Sequence, residues 1–407
     1  MRALIAVVAS AGCGFTVAGG SAVIDGSPPD STSTIVDGMP DAMGTSACPW
    51  PFAATYANPC DIDRPLDVAV LDLDDTSGPY RYDTATAVLT TPTGVQQMVP
   101  ATMIAGVRVV WTAGVRIRDG VRLRVTGPMS LAIVSNDDIL VDGLIDVSSA
   151  YDRNTHTVDG GAGANPTSCG PVAPLMGGAC ADHGGSGGGG GAFGGDGGSG
   201  GSGGGTRDCG NNTMGRPGGI GGTALATAPL VLRGGCSGAS GAGSSVNPAG
   251  LPGVAGEGGG AVALIARDAI AIKGRIHAGG SGGGPGRARR AGGGGGGSGG
   301  MIALEAVTIL VDEDAVIAAN GGGGGGGCDG SDATAGDDGG IEDQPADGGP
   351  KQGNGGNGAA GGALDPEDGA NAAGADRGGG GGGGGAGFVR LNATTKTLDG
   401  TISPAPR

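Results

Sequence analysis

Asn136-Asp137-Asp138, with Asp142 and Asp146 close behind, puts four carboxylates within eleven residues of this 407-residue chain. Paired carboxylates on one face are what glycoside cleavage requires, one to protonate the leaving oxygen and one to act as base or nucleophile. Asn and Asp are also preferred turn residues, and outward Asp makes a solvated face. No matching acidic or basic ladder is read at the same corner of the two related blocks that begin near Gly260 and Gly300, which weighs against catalysis. Asp329, Asp332, Asp337, Asp338, Glu342, Asp343 and Asp347 form a second acidic run, but neither the EF-hand spacing nor a glycine-aspartate calcium repeat accompanies it. Gly-x-Ser-x-Gly occurs at Ser186, Ser199, Ser202, Ser281 and Ser298, never between a strand and a helix, so it is a by-product of polyglycine. There is no C-x-x-C, and the three His lie far from any Cys pair. No catalytic, cofactor or metal residue is assigned, and the chain is expected not to be an enzyme.

The elements that would position these groups repeat. In the block from Gly260, Val262, Leu264, Ala266, Ile270, Ile272, Ile276 and Ala278 alternate within short segments, while Lys273, Arg275 and His277 take the other face. Breaks at Arg267-Asp268 and Gly274 divide the block into three strands, each too short to bury a core unless neighbours stack on it. Leu131, Ile133, Ser135, Ile139, Val141, Gly143, Ile145 and Val147 superimpose on the block without a gap. Met301 to Asn320 repeats it with one residue deleted before Ile309, and Phe388 to Ser403 repeats it more loosely. The copies lie 131, 40 and 87 residues apart, and glycine-rich excursions fill the unequal intervals. Period-three runs such as Asp196-Gly-Gly, Ser199-Gly-Gly and Ser202-Gly-Gly suit a threefold polyproline-II-type helix. The fold expected is all-β: an irregular parallel β-solenoid over 107–407, with polyglycine excursions packed as polyglycine II helices and a small β-rich cap at 48–106.

Composition narrows the classes further. With 99 Gly, 2% aromatic and 15% charged residues, an ordinary mixed core is excluded, and a net charge of −16 argues against nucleic acid. MRALIAVVASAGCG reads as a signal peptide over 1–12 with Cys13 as a lipidation site, followed by a flexible tether at 13–47. Eight cysteines in a secreted chain favour disulfides, and spacing suggests Cys48 with Cys60, Cys169 with Cys180 and Cys209 with Cys236, leaving Cys328 as the odd thiol.

The lipobox-like start, the tether and the repeated block with polyglycine excursions resemble glycine-rich β-solenoid surface proteins and lipoproteins of Gram-negative bacteria. The resemblance covers about 107–407 and implies a non-enzymatic structural or adhesin-like binding protein of the cell envelope. Its expected setting is the outer membrane or cell surface, anchored through lipid at the amino terminus, with envelope or extracellular polysaccharide or protein as partner. In outline the block also resembles parallel β-helix pectinases and glycosidases. The alternative is therefore a carbohydrate-active enzyme acting through Asp137, Asp138 and Asp142.

Overall fold

The computed structural model describes residues 50–61, 68–169, 175–177, 184–204, 217–244, 250–363 and 377–407. The expected signal peptide, Cys13, the tether and Cys48 lie outside these residues. Alternating apolar positions become strands, and no helix occurs among the described residues. The chain forms β1 (Leu71–Leu73), β2 (Tyr80–Asp83), β3 (Val88–Thr90), β4 (Gln96–Met98), β5 (Ala101–Ile104), β6 (Val107–Thr112), β7 (Val115–Ile117) and β8 (Arg122–Thr126). The first block supplies β9 (Ser130–Ser135), β10 (Ile139–Val141) and β11 (Leu144–Asp146), and a hairpin of β12 (Ala150–Asp152) and β13 (Thr157–Asp159) follows. The second block supplies β14 (Ala261–Ala266), β15 (Ala269–Ile272) and β16 (Arg275–His277). The third supplies β17 (Met301–Val311) and β18 (Val316–Ala318), and the fourth β19 (Phe388–Leu398) and β20 (Thr401–Ser403). In the last two blocks the first two strands merge, because the single-residue deletion removes the turn made by Arg267-Asp268 in the second.

The blocks pair in parallel, in the register that their alignment predicts. Leu131 lies beside Val262 and Val262 beside Ile302, Ile139 beside Ile270, and Ile145 beside Ile276. Gly274 turns the corner directly over Gly143, where a β-carbon would collide with the Asp142 and Gly143 carbonyls. A ten-stranded sheet (β1-β7-β10-β15-β17-β14-β9-β6-β5, with β19 on β17) faces an eight-stranded one (β20-β18-β16-β11-β8-β2-β3-β4). Between them lies one aliphatic core that includes Ile117, Ile139, Val141, Ile145, Ile270, Ile272, Ile276, Ile309 and Ile317.

Half of the outer face of the ten-stranded sheet is covered as well. Trp50, Ala54, Tyr56, Phe193 and Leu232 pack on Trp111, Val134, Ile265, Met301 and Phe388. The buried Glu305 carboxylate accepts the Thr55 N–H at 2.8 Å, and Arg390 donates to the Tyr56 hydroxyl at 2.9 Å, so polar clasps fix this cover in place. The other half, over β1, β7, β10, β15 and the end of β17, carries no such cover among the described residues.

The glycine-rich segments bond to one another with a three-residue repeat. In 292–300, the N–H groups of Gly292, Gly295 and Ser298 reach Ala242, Ala239 and Cys236, those of Gly293, Gly296 and Gly299 reach Gly379, Gly382 and Gly385, and those of Gly294, Gly297 and Gly300 reach Gly284, Ser281 and Ala278. The carbonyls of the same segment accept from three further segments, through Gly253 and Gly256, Gly188 and Gly191, and Gly322 and Gly325. Three successive residues thus serve three directions, which satisfies buried peptide groups without a sheet. Segments with neighbours on every side are glycine throughout in 321–327 and 378–385 and carry only the buried Ser298 in 292–300, whereas x-Gly-Gly runs lie at the perimeter. Asp196, Ser202, Asn354 and Asn357 are exposed there.

Cys169 pairs with Cys236 across 67 residues, which corrects the local pairings Cys169–Cys180 and Cys209–Cys236. The cause is tertiary. Gly234 donates to Gly163 and Asn165 to Gly235, so residues 163–169 run beside 234–236 and bring the two Cα atoms to 5.5 Å. Cys60 is also disulfide-bonded, and Cys328 is free and buried. Cys180 and Cys209 lie outside the described residues.

Candidate functional site

The uncovered half of the ten-stranded sheet is a groove of about 570 Å³, lined by Val70, Arg116, Arg118, Asp137, Asp138, Leu140, Asp142, Ala269, Ala271 and Leu310 among others. A second hollow of about 300 Å³ continues it past Ala271 and Leu310 to Lys273, Asp312, Glu313, Thr397 and Asp399. Strand period builds this floor. Ile139, Ile270 and Ile309 point into the core, so their neighbours Leu140, Ala271 and Leu310 form one outward row, which Arg116 and Asp72 extend at one end and Thr397 at the other.

The walls are charged, with acids in excess. One carries Arg118, Asp142, Lys273, Asp312 and Asp399 at successive strands, each N–H bonded to the preceding layer. Sign alternates along the first four. Arg118 grips Asp72 with two hydrogen bonds of 3.0 and 2.8 Å, and this contact holds the Asp72 carboxyl below its ordinary range.

At the other wall Asp137 and Asp138 meet Asp268, all exposed, with one carboxylate oxygen from each within 4.8 Å of the others. Asp138 also accepts the Ala269 N–H at 2.9 Å. Asp268 corrects the expectation that no matching acid stands at this corner. The alignment that places Ile139 beside Ile270 also places Asp137 beside Asp268, and the signal lay in that register. Asp142 lines the same groove but is not part of this cluster. Glycoside cleavage uses one carboxyl as acid and a second as base or nucleophile, and all three carboxylates of this cluster are exposed.

Asp146, expected on a solvated face, is buried under the β12–β13 hairpin and the segment around Gly339. Arg124 reaches it at 3.2 Å, Ser148 Oγ donates to it at 2.6 Å, Arg122 pairs with it, and His277 Nδ1 lies 3.8 Å away. Arg124 also donates to the Ser148 carbonyl at 2.6 Å. Burial alone would raise the Asp146 carboxyl, but Arg124, Ser148, His277 and Arg122 together hold it below the ordinary value. Burial pushes His277 down, and its Nε2–H is spent on the Gly339 carbonyl at 2.8 Å. An Asp, a His and a Ser are therefore neighbours here, but none is free to activate a nucleophile. The cluster ties the second sheet to the glycine segments.

The linkage has a definite sign. His277, depressed below 6.5, contributes stability above that pH which is lost as pH falls through its folded value. Asp146, depressed below 3.8, adds a second loss at lower pH. Denaturation midpoints should fall on acidification in two steps, and His277→Gln should flatten the upper one. A midpoint curve unchanged by His277→Gln would refute the assignment.

The remaining sequence candidates have structural roles. Asp338 accepts from Tyr151 and Gly282, Asp332 from Ala288, Asp329 pairs with Arg377 and Asp337 with Arg153. These acids pin separate segments instead of converging on one cation. Ser281 and Ser298 are fully buried and accept the Glu257 and Cys236 N–H groups, each at 2.8 Å.

The fold and groove define a class: an all-β protein of two mixed, mainly parallel sheets, with interbonded glycine segments and a shallow charged groove. Comparison with protein-family models, curated proteins and solved structures finds no match to this chain.

Proposed function

We propose that this chain is a non-enzymatic structural and binding protein of the bacterial cell envelope, a glycine-rich β-solenoid surface protein whose excursions pack as polyglycine II helices. The solenoid reading rests on the parallel registers of the four blocks, and the polyglycine II reading on the three-residue, three-direction bonding of 292–300. Residues 1–12 act as a signal peptide, Cys13 carries the lipid, and 13–47 hold the folded part away from the outer membrane. The observation that carries the binding role is the half of the ten-stranded sheet that is left open among the described residues. Its groove crosses successive strands, has an apolar and small-residue floor, and offers hydrogen-bonding groups at each strand spacing of about 4.8 Å. Such a surface suits an extended envelope polysaccharide. Neutral glycans fit best, because the acids of the groove outnumber its cations.

The experiment is retention of the purified protein on a panel of envelope polysaccharides, with release of reducing ends measured in parallel. Binding without cleavage is expected, and Leu310→Arg, which projects into both hollows, should weaken binding at least tenfold with an unchanged melting temperature. Equal binding by Leu310→Arg would remove the groove from the proposal. Cleavage that disappears in Asp137→Ala would replace it with the glycosidase reading.

A further inference from the structure

The two sheets stop at the same end of the stack, in β19 and β20, and among the described residues neither strand has a second neighbour. At the opposite end the sheets finish in the short strands β1, β5 and β4, of three or four residues each, and β3, β4 and β5 there run antiparallel to their neighbours. β19 is eleven residues long, and Asn392 and Thr394 through Leu398 are exposed along it. Beneath it the last apolar layer is incomplete, with Leu391, Ala393 and Ile402 only partly buried and Leu398 39% exposed. Some cover exists at one end, where Arg407 donates to the Val389 carbonyl at 3.0 Å and lies over the Phe388 ring. From Asn392 onward the edge is bare among the described residues.

A long strand edge above a half-exposed apolar layer is a template for another chain. A second copy satisfies its geometry unusually well. A twofold axis perpendicular to both sheets lays β19 antiparallel to its counterpart and β20 antiparallel to its counterpart at the same time, which is an isologous contact.

One residue opposes that contact. Lys396 is in register with Ile309, and through it with Ile270, Ile139 and Val115, all of them buried core positions. Residues in register on parallel neighbours face the same side, so Lys396 stands in the inward column at the open end. Its ammonium remains hydrated only while the end is open. We infer that Lys396 keeps this edge from pairing with a second copy of the chain. End-to-end pairing would enclose two ammonium groups against an apolar layer, a desolvation that needs a partner charge to be tolerated. Thr397, by contrast, is in register with the outward Leu310 and has no such effect.

The test is the mass in solution, by light scattering over a range of concentrations, of Lys396→Ile, Lys396→Val, Lys396→Arg and Thr397→Ile. The first two are expected to double in mass as concentration rises, while the last two and the parent remain monomeric. In the parent, the amides of 392–398 that point away from β17 should exchange with deuterium on the order of 100-fold faster than those of β17. If the apolar variants fail to fold, Lys396→Thr, which removes the charge but stays polar, should also shift in mass. Folded variants that all keep the parent's mass, a dimeric parent, or slow exchange of the outward amides of 392–398 would each overturn the inference.

Discussion

Ile272→Asp should lower stability by about 4 kcal/mol or more, while Lys273→Ala, one residue along, should stay within about 0.5 kcal/mol of the parent. Ile272 is fully buried between Val141 and Val311, and an aspartate there finds no cation or donor. The loss is a large share of the ~5–15 kcal/mol that holds a domain together. Lys273 is exposed on the groove wall, and truncating it removes only a solvated charge. Denaturant midpoints on the two variants test the strand period directly. Equal midpoints would mean that adjacent residues do not face opposite sides.

Gly381→Ala should cost about 3 kcal/mol for a single methyl group, more than many core truncations of similar size. Gly381 donates to Gly325, accepts from Ala359, and presents its α-carbon to the Gly294 carbonyl, so an added β-carbon collides with backbone, which cannot rotate away. The neighbouring segments would have to part, and the bonds on both sides would lengthen with them. Ser202→Ala, at an exposed perimeter position, should change stability by less than about 0.5 kcal/mol. Melting temperatures of the pair decide whether the glycine domain is rigid. A Gly381→Ala protein that melts with the parent would show that these segments do not carry load.

Local pattern was enough for the strands. Alternation at Val262, Leu264 and Ile270 set which side faces in, and the alignment of Leu131 with Val262 set which strands would be neighbours. Both are properties of residue order, because side chains in a strand alternate with period two and identical blocks stack in identical register. The same alignment contained the Asp137–Asp268 match, although the corner was read as unmatched. The merging of two strands into β17 followed from one deleted residue.

The groove is different in kind. Nothing local distinguishes the row of Leu140, Ala271 and Leu310 from the outward residues of the sheet's other half. Among the described residues it is open, since the aromatic segment at Trp50–Tyr56 packs on the other half, a contact made across hundreds of residues. Asp142, at the corner after β10, and Asp146, the last residue of β11, are four residues apart and look alike in the sequence. One is buried with Arg124 and the other lines a groove, because the glycine segment around Gly339 covers only the second sheet.

By itself, then, the sequence determined the strand period, the parallel registers and the need for glycine in the excursions, since each depends on side-chain size and spacing along the chain. Only the tertiary structure decided the Cys169–Cys236 bond, the burial of Asp146 and the open half-face. Each of these depends on which glycine segments become neighbours. Uniform glycine tracts have no side chains to encode a partner, so that choice is made by the length of the excursions and by the sheet corners from which they leave.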